Sequence, residues 1–473
     1  MSVTQGLLAI LQFAVAVVVA RLLTPYEMGI FVVAMSIVGL LSIVRGLGLH
    51  QYLVRAQEIS PDIRASVFTV NALTALVMAV GLVGIAELGG ALLNEPRVQP
   101  LLLILAALPL ISIFEFLPNA GLERQGNFRA LALISVAKSL VSNVVLLGFA
   151  FAGHSYMSLA YGQMAGGLTS LVLTNIAGRS HVSLRLGLAE WRAVSRFSLQ
   201  MLALSSMNSL TGRLSDLLLG RIQGLAALGL FSRASGLTAI LWENLHLVLV
   251  RILFVDFAEQ RRQGRSLRYS YLHISRMLAA VLWPTLTGLA LLSETAIHTL
   301  YGPNWVAAAL PLSLLAISFM LYLPLIMTTE IFIVCHETRR QLRLESIRSV
   351  VAITLFGVGC LFGLAWAAAA KIAENLFALM LFRADIERLT DTSIQDLVPI
   401  YAEGAVLSVA ATLPTLALIL YLDLAGPLPL PAVFTAIGMG GVLWLLTLRA
   451  LKHPLFAEGM RLLKRKQPTQ VPG

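Results

Sequence analysis

The chain has 473 residues, of which 58% are hydrophobic and 12% charged, with a mean hydropathy of +0.84. Soluble chains carry about twice that share of charge, so a soluble protein is excluded and an integral membrane protein is implied. The apolar runs are about twenty residues long and lack the roughly ten-residue alternation of barrel strands, so they predict membrane-spanning helices, which bond their own backbone polar groups inside hydrocarbon.

In chain order the runs are 3–22, 28–50, 66–92, 99–119, 130–152, 155–178, 193–220, 226–253, 272–300, 305–333, 344–364, 366–385, 398–422 and 429–450. They predict an all-α, polytopic bundle of about fourteen transmembrane helices. The first run lacks a basic start and is too long for a signal peptide, so it reads as a retained helix. The narrowest boundary lies between the eleventh and twelfth runs, where "GCLFGLAWAAAAKIAENLF" leaves almost no polar turn.

Alternate loops carry Arg55 and Arg64, then Arg124 and Arg129, then Arg179, Arg185 and Arg192. The same set continues with Arg261, Arg262, Arg265 and Arg268, then Arg339, Arg340 and Arg343, then Arg383 and Arg388, and the carboxyl tail adds Lys452, Arg461, Lys464, Arg465 and Lys466. The opposite loops offer little beyond Arg21, Arg97 and Arg221. Positive charge collects on the cytoplasmic side of membrane proteins, so both termini are expected there. The net charge of +10 is then topology, helped by anionic membrane lipids, and calls for no nucleic acid.

The stretch "RLLTPYEMGIFVVA" (21–34) aligns without a gap to "RIQGLAALGLFSRA" (221–234), sharing Arg, Gly, Phe and Ala. Each joins an odd span to the next on the outer side. The match predicts a six-helix unit duplicated in parallel orientation. An N-terminal lobe at 1–190 and a C-terminal lobe at 191–390 follow, with two further helices at 391–452 and a basic cytoplasmic tail at 453–473.

"ARLLTPYEMG", "LERQGNFRAL", "LSDLLLGRIQGLAALGLFSRA" and "LYGPNWVAAALPLSLLA" together resemble the polysaccharide transporter (O-antigen and exopolysaccharide flippase) family of the multidrug, oligosaccharidyl-lipid and polysaccharide exporter superfamily. The resemblance covers nearly the whole chain from about residue 14 and rests on the order and spacing of these stretches. It implies a two-lobed bundle in a bacterial inner membrane that moves polyprenyl-diphosphate-linked glycans from the inner to the outer leaflet, alongside other envelope polysaccharide assembly proteins. Such proteins usually carry a polar stretch and a longer first helix before the counterpart of Gln12, whereas this chain starts abruptly, which implies a late start.

The residues supply candidate sites of their own. On the seventh span, Ser198, Ser205, Ser209, Arg213, Asp216 and Gly220 fall within an arc of about 80°, and Asn208 lies nearby. A charge at bilayer depth costs at least about 2.5 kcal/mol, so this stripe should face an internal cavity. Alternatively, Arg213 and Asp216 form an i,i+3 pair that only holds the helix. Arg233 lies too deep in span eight to snorkel easily. Arg45 and Lys138 are placed for the inner opening or for the interface, and Glu243 is a weak candidate for proton coupling. Buried Arg suits an anionic diphosphate because its planar fork binds phosphate in bidentate fashion. The expected site is therefore Arg213 with Arg233 towards the outside and Arg45 with Lys138 towards the inside.

Enzyme chemistry finds no foothold. Cys335 and Cys360 have no CxxC spacing, the eight His form no HExxH cluster, and no Walker-type phosphate loop occurs. No metal and no cofactor are expected. The acids of "RADIERLTDTSIQD" (383–396) sit in an expected cytoplasmic linker beside Arg383 and Arg388 and read as a solvated connector. Two rival readings stand beside the flippase: a multidrug exporter of the same superfamily, which would favour buried acids over buried Arg, and a membrane enzyme of envelope glycan assembly.

Overall fold

Helices form wherever the apolar runs are long, and they stop at Gly, Pro or a charged turn. The computed structural model describes residues 2–45, 49, 53, 60–93, 95–422 and 426–457. The first half comprises α1 (Ser2–Leu22), α2 (Pro25–Arg45), α3 (Pro61–Leu93), α4 (Val98–Leu105), α5 (Ala107–Arg124), α6 (Phe128–Phe151), α7 (Met157–Ala177) and α8 (Trp191–Ile222). Then come α9 (Leu225–Arg262), α10 (Arg268–Leu291), α11 (Ser293–Tyr301), α12 (Ala309–Leu321), α13 (Thr328–Val334), α14 (Thr338–Phe362), α15 (Leu364–Thr390), α16 (Ile394–Leu422) and α17 (Leu430–Ala450). No strand occurs among the described residues.

Ten of the described segments are long and apolar enough to cross a membrane, and shorter apolar helices cover Leu8–Leu22, Leu225–Ile240 and Leu323–Val334. The chain is a multi-pass helical membrane protein. Several expected spans are subdivided. The fourth breaks into α4 and α5 at Ala106, the ninth into α10 and α11 at Leu292, and the tenth runs through 3-10 turns at Pro303–Ala308 and Leu323–Leu325. Both 3-10 turns carry Pro near their start, where the missing N–H removes nothing that the turn needs. The narrow boundary between the eleventh and twelfth runs is made by Gly363, whose φ of 125° lies where a side chain would be strained.

Two compact units result, Met1–Ser232 and Arg233–Gly473. In the first, α6 pairs with α7, α3 and α7 pack on α5, and α8 packs on α2 and α3. Helix α8 therefore groups with the helices before it. Leu53, Val67, Phe68, Leu117 and Ala120 close the core between α3 and α5. In the second unit, α10 pairs with α16, α14 with α15, α12 with α15 and α16 with α17. Tyr271, Phe332 and Phe382 are fully buried there, in a core continuous with Leu278, Met327 and Ile331. Leu73, Val80, Leu133, Val144, Val409, Leu420 and Phe434 lie exposed on outer faces, as expected of side chains that lipid covers.

Candidate functional site

The polar stripe of α8 meets α2. Asp216 accepts a hydrogen bond from Ser36 Oγ at 2.9 Å. One turn away, a Cβ on Gly39 would sit 2.5 Å from Arg213 Nε, and a Cβ on Gly220 would sit 3.2 Å from Val33 Cγ2. Val33, Ser36 and Gly39 share a face of α2 by their spacing of three. Gly39 thus makes the room in which the Arg213 side chain lies.

Arg213 Nη1 approaches Asp216 Oδ2 only to 3.9 Å, and the two side chains are 40% and 24% exposed. That distance is too long for a hydrogen bond, and a half-exposed pair of this kind contributes at most about 1 kcal/mol. Among the described residues Arg213 donates no hydrogen bond. The i,i+3 contact exists, but it leaves the guanidinium donors unused.

Arg233 has a different setting. Its guanidinium lies 5.7 Å from the ring centroids of both Tyr301 and Trp305. The two rings are 4% and 1% exposed and meet edge to face. The stretch "LYGPNW" builds this aromatic wall: α11 ends at Tyr301, Gly302 turns the chain with φ 97°, and Pro303 opens the 3-10 turn that buries Trp305. Stacking uses the guanidinium faces, which are distinct from its in-plane N–H donors.

Lys138 is exposed on α6 and Ser209 is exposed on α8. The side chains of Arg45, Ser205, Asn208 and Glu243 lie outside the described residues. Of the expected set, Arg213 and Asp216 come together, joined by Ser36 and Gly39 from α2. Nothing in the pattern of α2 singled out those two positions beyond a small-residue spacing.

A second charged group, centred on Arg348, went unremarked in the sequence. Arg348 reaches Glu374 at 3.2 Å and Glu345 at 3.5 Å, Lys371 reaches Glu374 at 2.8 Å, and the Arg348 guanidinium lies 5.2 Å from the Tyr322 ring centre. The spacing of Lys371 and Glu374 predicts an i,i+3 pair on α15, whereas nothing along α15 predicts the tie to α14. Two cations and two carboxylates balance there, which is the condition for burying charge at acceptable cost.

The acids at 385–396 are likewise engaged by Arg. Asp385, with a side chain 3% exposed, pairs with Arg340 at 2.5 Å and Arg388 at 3.1 Å, and Asp396 pairs with Arg268 at 2.6 Å. Helix α15 carries Asp385 and Glu387 on to Thr390, so the expected solvated connector is mostly helix end. Among the described residues no group of three or more His, Cys, Asp or Glu is placed to hold a metal ion.

Residues 18–310 match the family described as "Polysaccharide biosynthesis protein". The chain is 30% identical over 309 residues to the succinoglycan biosynthesis transport protein ExoT of Rhizobium meliloti (strain 1021), covering 65% of this chain and 62% of that one. It is 23% identical over 295 residues to the lipopolysaccharide biosynthesis protein WzxC of Escherichia coli (strain K12), covering 61% and 59%. The chain thus spans less than two thirds of the length of either relative. Among solved structures, the lipid II flippase MurJ in an inward closed conformation superposes with a TM-score of 0.76 at 13% identity, covering 96% of this chain and 99% of that one. At that identity the likeness establishes a common fold.

Proposed function

Because the chain belongs to the polysaccharide biosynthesis protein family, we propose that it is a flippase, a secondary transporter without enzymatic chemistry of its own. Its substrate is a polyprenyl-diphosphate-linked oligosaccharide or polysaccharide repeat unit, carried from the cytoplasmic to the outer leaflet of a bacterial inner membrane. Both termini are cytoplasmic, and lobes at 1–190 and 191–390 rock to give alternating access, with 391–452 outside the repeat.

The observation that carries this reading is Arg213, a half-exposed guanidinium that donates no hydrogen bond among the described residues, on a helix whose neighbour α2 leaves room for it at Gly39. A bare bilayer blocks the sugar head group because each hydroxyl stripped of water costs roughly 4 kcal/mol or more on the hydrocarbon scale. Fixed polar side chains replace that water, and a planar cation offsets the diphosphate. Arg233 is the second counter-charge, fixed by its two rings, with Arg45 and Lys138 at the inner opening, Ser205, Asn208 and Ser209 as hydroxyl and amide partners, and Glu243 as a coupling group. A multidrug exporter that takes cations is disfavoured because these interior charges are mainly Arg.

The test is transport in proteoliposomes loaded with a short-chain polyprenyl-diphosphate disaccharide, read by side-selective labelling of the sugar. Arg213→Ala should slow appearance at the far leaflet about tenfold or more, the loss of one charge-assisted hydrogen bond. Arg213→Lys should recover only part of it. Normal rates in both Arg213→Ala and Arg233→Ala would remove the diphosphate site from the reading.

A further inference from the structure

The connector 178–190, between α7 and α8, is pinned to its neighbours. Gly187 N donates to Thr69 Oγ1 at 2.9 Å and Glu190 N to Ser66 Oγ at 3.0 Å. A Cβ on Gly178 would fall 2.8 Å from Pro118 Cβ, and one on Gly121 would fall 2.3 Å from His181 Cγ. The His181 ring therefore packs against α5 at Gly121, where any side chain would collide with it. Between this wall and the adjoining ends of α3 and α5 is a cavity of about 340 Å³ lined by Arg64, Arg124, Gln125 and His181 over an apolar floor that includes Leu53 and Leu117.

The lining is one-sided in charge. None of the described lining residues is acidic. Arg64 forms no ion pair with any described residue, Arg124 Nη1 donates to the Leu53 carbonyl at 3.0 Å, and His181 Nε2 is buried without a hydrogen-bond partner. Burial, and after it the Arg64 charge, holds the His181 pKa below its ordinary value. Surface Arg residues on a membrane protein normally point into water. Here two of them and an imidazole converge on a concave space of ligand size.

We propose that this cavity binds a phosphate-bearing anion, a monoester or diester, held by the Arg64 fork with Arg124, Gln125 and His181 as further donors. Arg presents paired N–H donors that match phosphate oxygens, and basic pockets between helices at the arginine-rich side are where anionic head groups dock. The site lies on the helix ends and the connector, apart from Arg213 and Arg233, and it does not depend on the transport reading. An anion there ties the α7–α8 connector to α3 and α5.

The full chain is purified into phosphatidylcholine nanodiscs and probed in two arms: phosphatidylglycerol titrated into the nanodiscs and counted by native mass spectrometry, and inorganic phosphate titrated by calorimetry. Arg64→Gln should weaken the probe that binds by about tenfold, the loss of one charge-assisted contact, and His181→Gln should weaken it less. Arg179→Gln, exposed on the same connector but outside the lining, should remain within about twofold. Should Arg64→Gln fail to purify, Arg124→Gln carries the same comparison. Binding in the lipid arm alone assigns a membrane head group, and binding in both arms assigns phosphate generally; either supports the site. Binding in neither arm, or equal weakening by Arg64→Gln and Arg179→Gln, would overturn it.

Discussion

Arg213 keeps its place through what its neighbours lack. Gly39 has no side chain, and the Arg213 Nε occupies the space where a Cβ would stand at 2.5 Å. Gly39→Val should therefore displace the guanidinium and slow transport to about the level of Arg213→Ala, roughly tenfold, while the chain still inserts; a Gly39→Val variant that transports normally would show that the position of Arg213 is not critical. At the other end of the charge range, Glu337 precedes α14 and is held by both Arg388 nitrogens, at 2.8 and 2.5 Å. Arg388 lowers the Glu337 pKa below the ordinary carboxylate value. A depressed folded pKa contributes stability that is complete above the unfolded value of about 4.3 and is lost as pH falls through the folded one. The melting-temperature difference between the native chain and Glu337→Gln should accordingly be constant from neutral pH to about pH 5 and shrink below about pH 4. A difference unchanged down to pH 3 would contradict the pairing.

Between elements, the closest approach joins the start of α2 to the start of α9. A Cβ on Gly29 would stand 1.9 Å from the Leu225 carbonyl oxygen, and one on Gly229 would stand 1.9 Å from the Pro25 carbonyl oxygen. Positions 25 and 225, and 29 and 229, are equivalent in the aligned stretches 21–34 and 221–234. The contact is reciprocal, each stretch's glycine against the other stretch's helix start. It explains why glycine is one of the residues that the two stretches share. Gly29→Leu and Gly229→Leu should each destabilise the chain by up to about 3 kcal/mol, the upper end for overpacking against atoms that cannot yield. Gly84→Leu, with open space around it, is the control. Thermal unfolding in detergent gives the comparison, and equal melting temperatures for Gly229→Leu and Gly84→Leu would argue against a tight crossing.

For the whole molecule, orientation rests on the Arg asymmetry. Cysteine introduced at Thr24 or Gln223, both in short turns between helices, should react with impermeant maleimide in intact cells. Cysteine at Arg262 or Arg340 should react only after permeabilisation. Labelling of Arg262→Cys from outside would invert the proposed topology. The unit boundary at 232/233 falls inside α9, because α8 packs on α2 and α3 and the first turns of α9 pack on α2. A reading of lobes from span order places the boundary at 190/191, and the two differ because span order follows the chain whereas a compact unit follows contacts.

Composition alone decided the solvent and the helical class, because a bilayer demands about twenty apolar residues in a row and that demand is local in sequence; ten of the described segments meet it. Loop Arg residues predict an orientation for the same reason, and "RLLTPYEMGIFVVA" with its partner predicts a repeat. The polar stripe of α8 was legible by its angular spacing, as was the Lys371–Glu374 pair by its separation. Only tertiary structure decided what each charge meets: Ser36 and Gly39 beside Arg213 and Asp216, the Tyr301 and Trp305 rings over Arg233, Arg348 between Glu345 and Glu374, and Arg64 with His181 across a cavity. Those partners are brought together by helix packing, whose geometry depends on side-chain shape on both surfaces, so no spacing along a single helix encodes them.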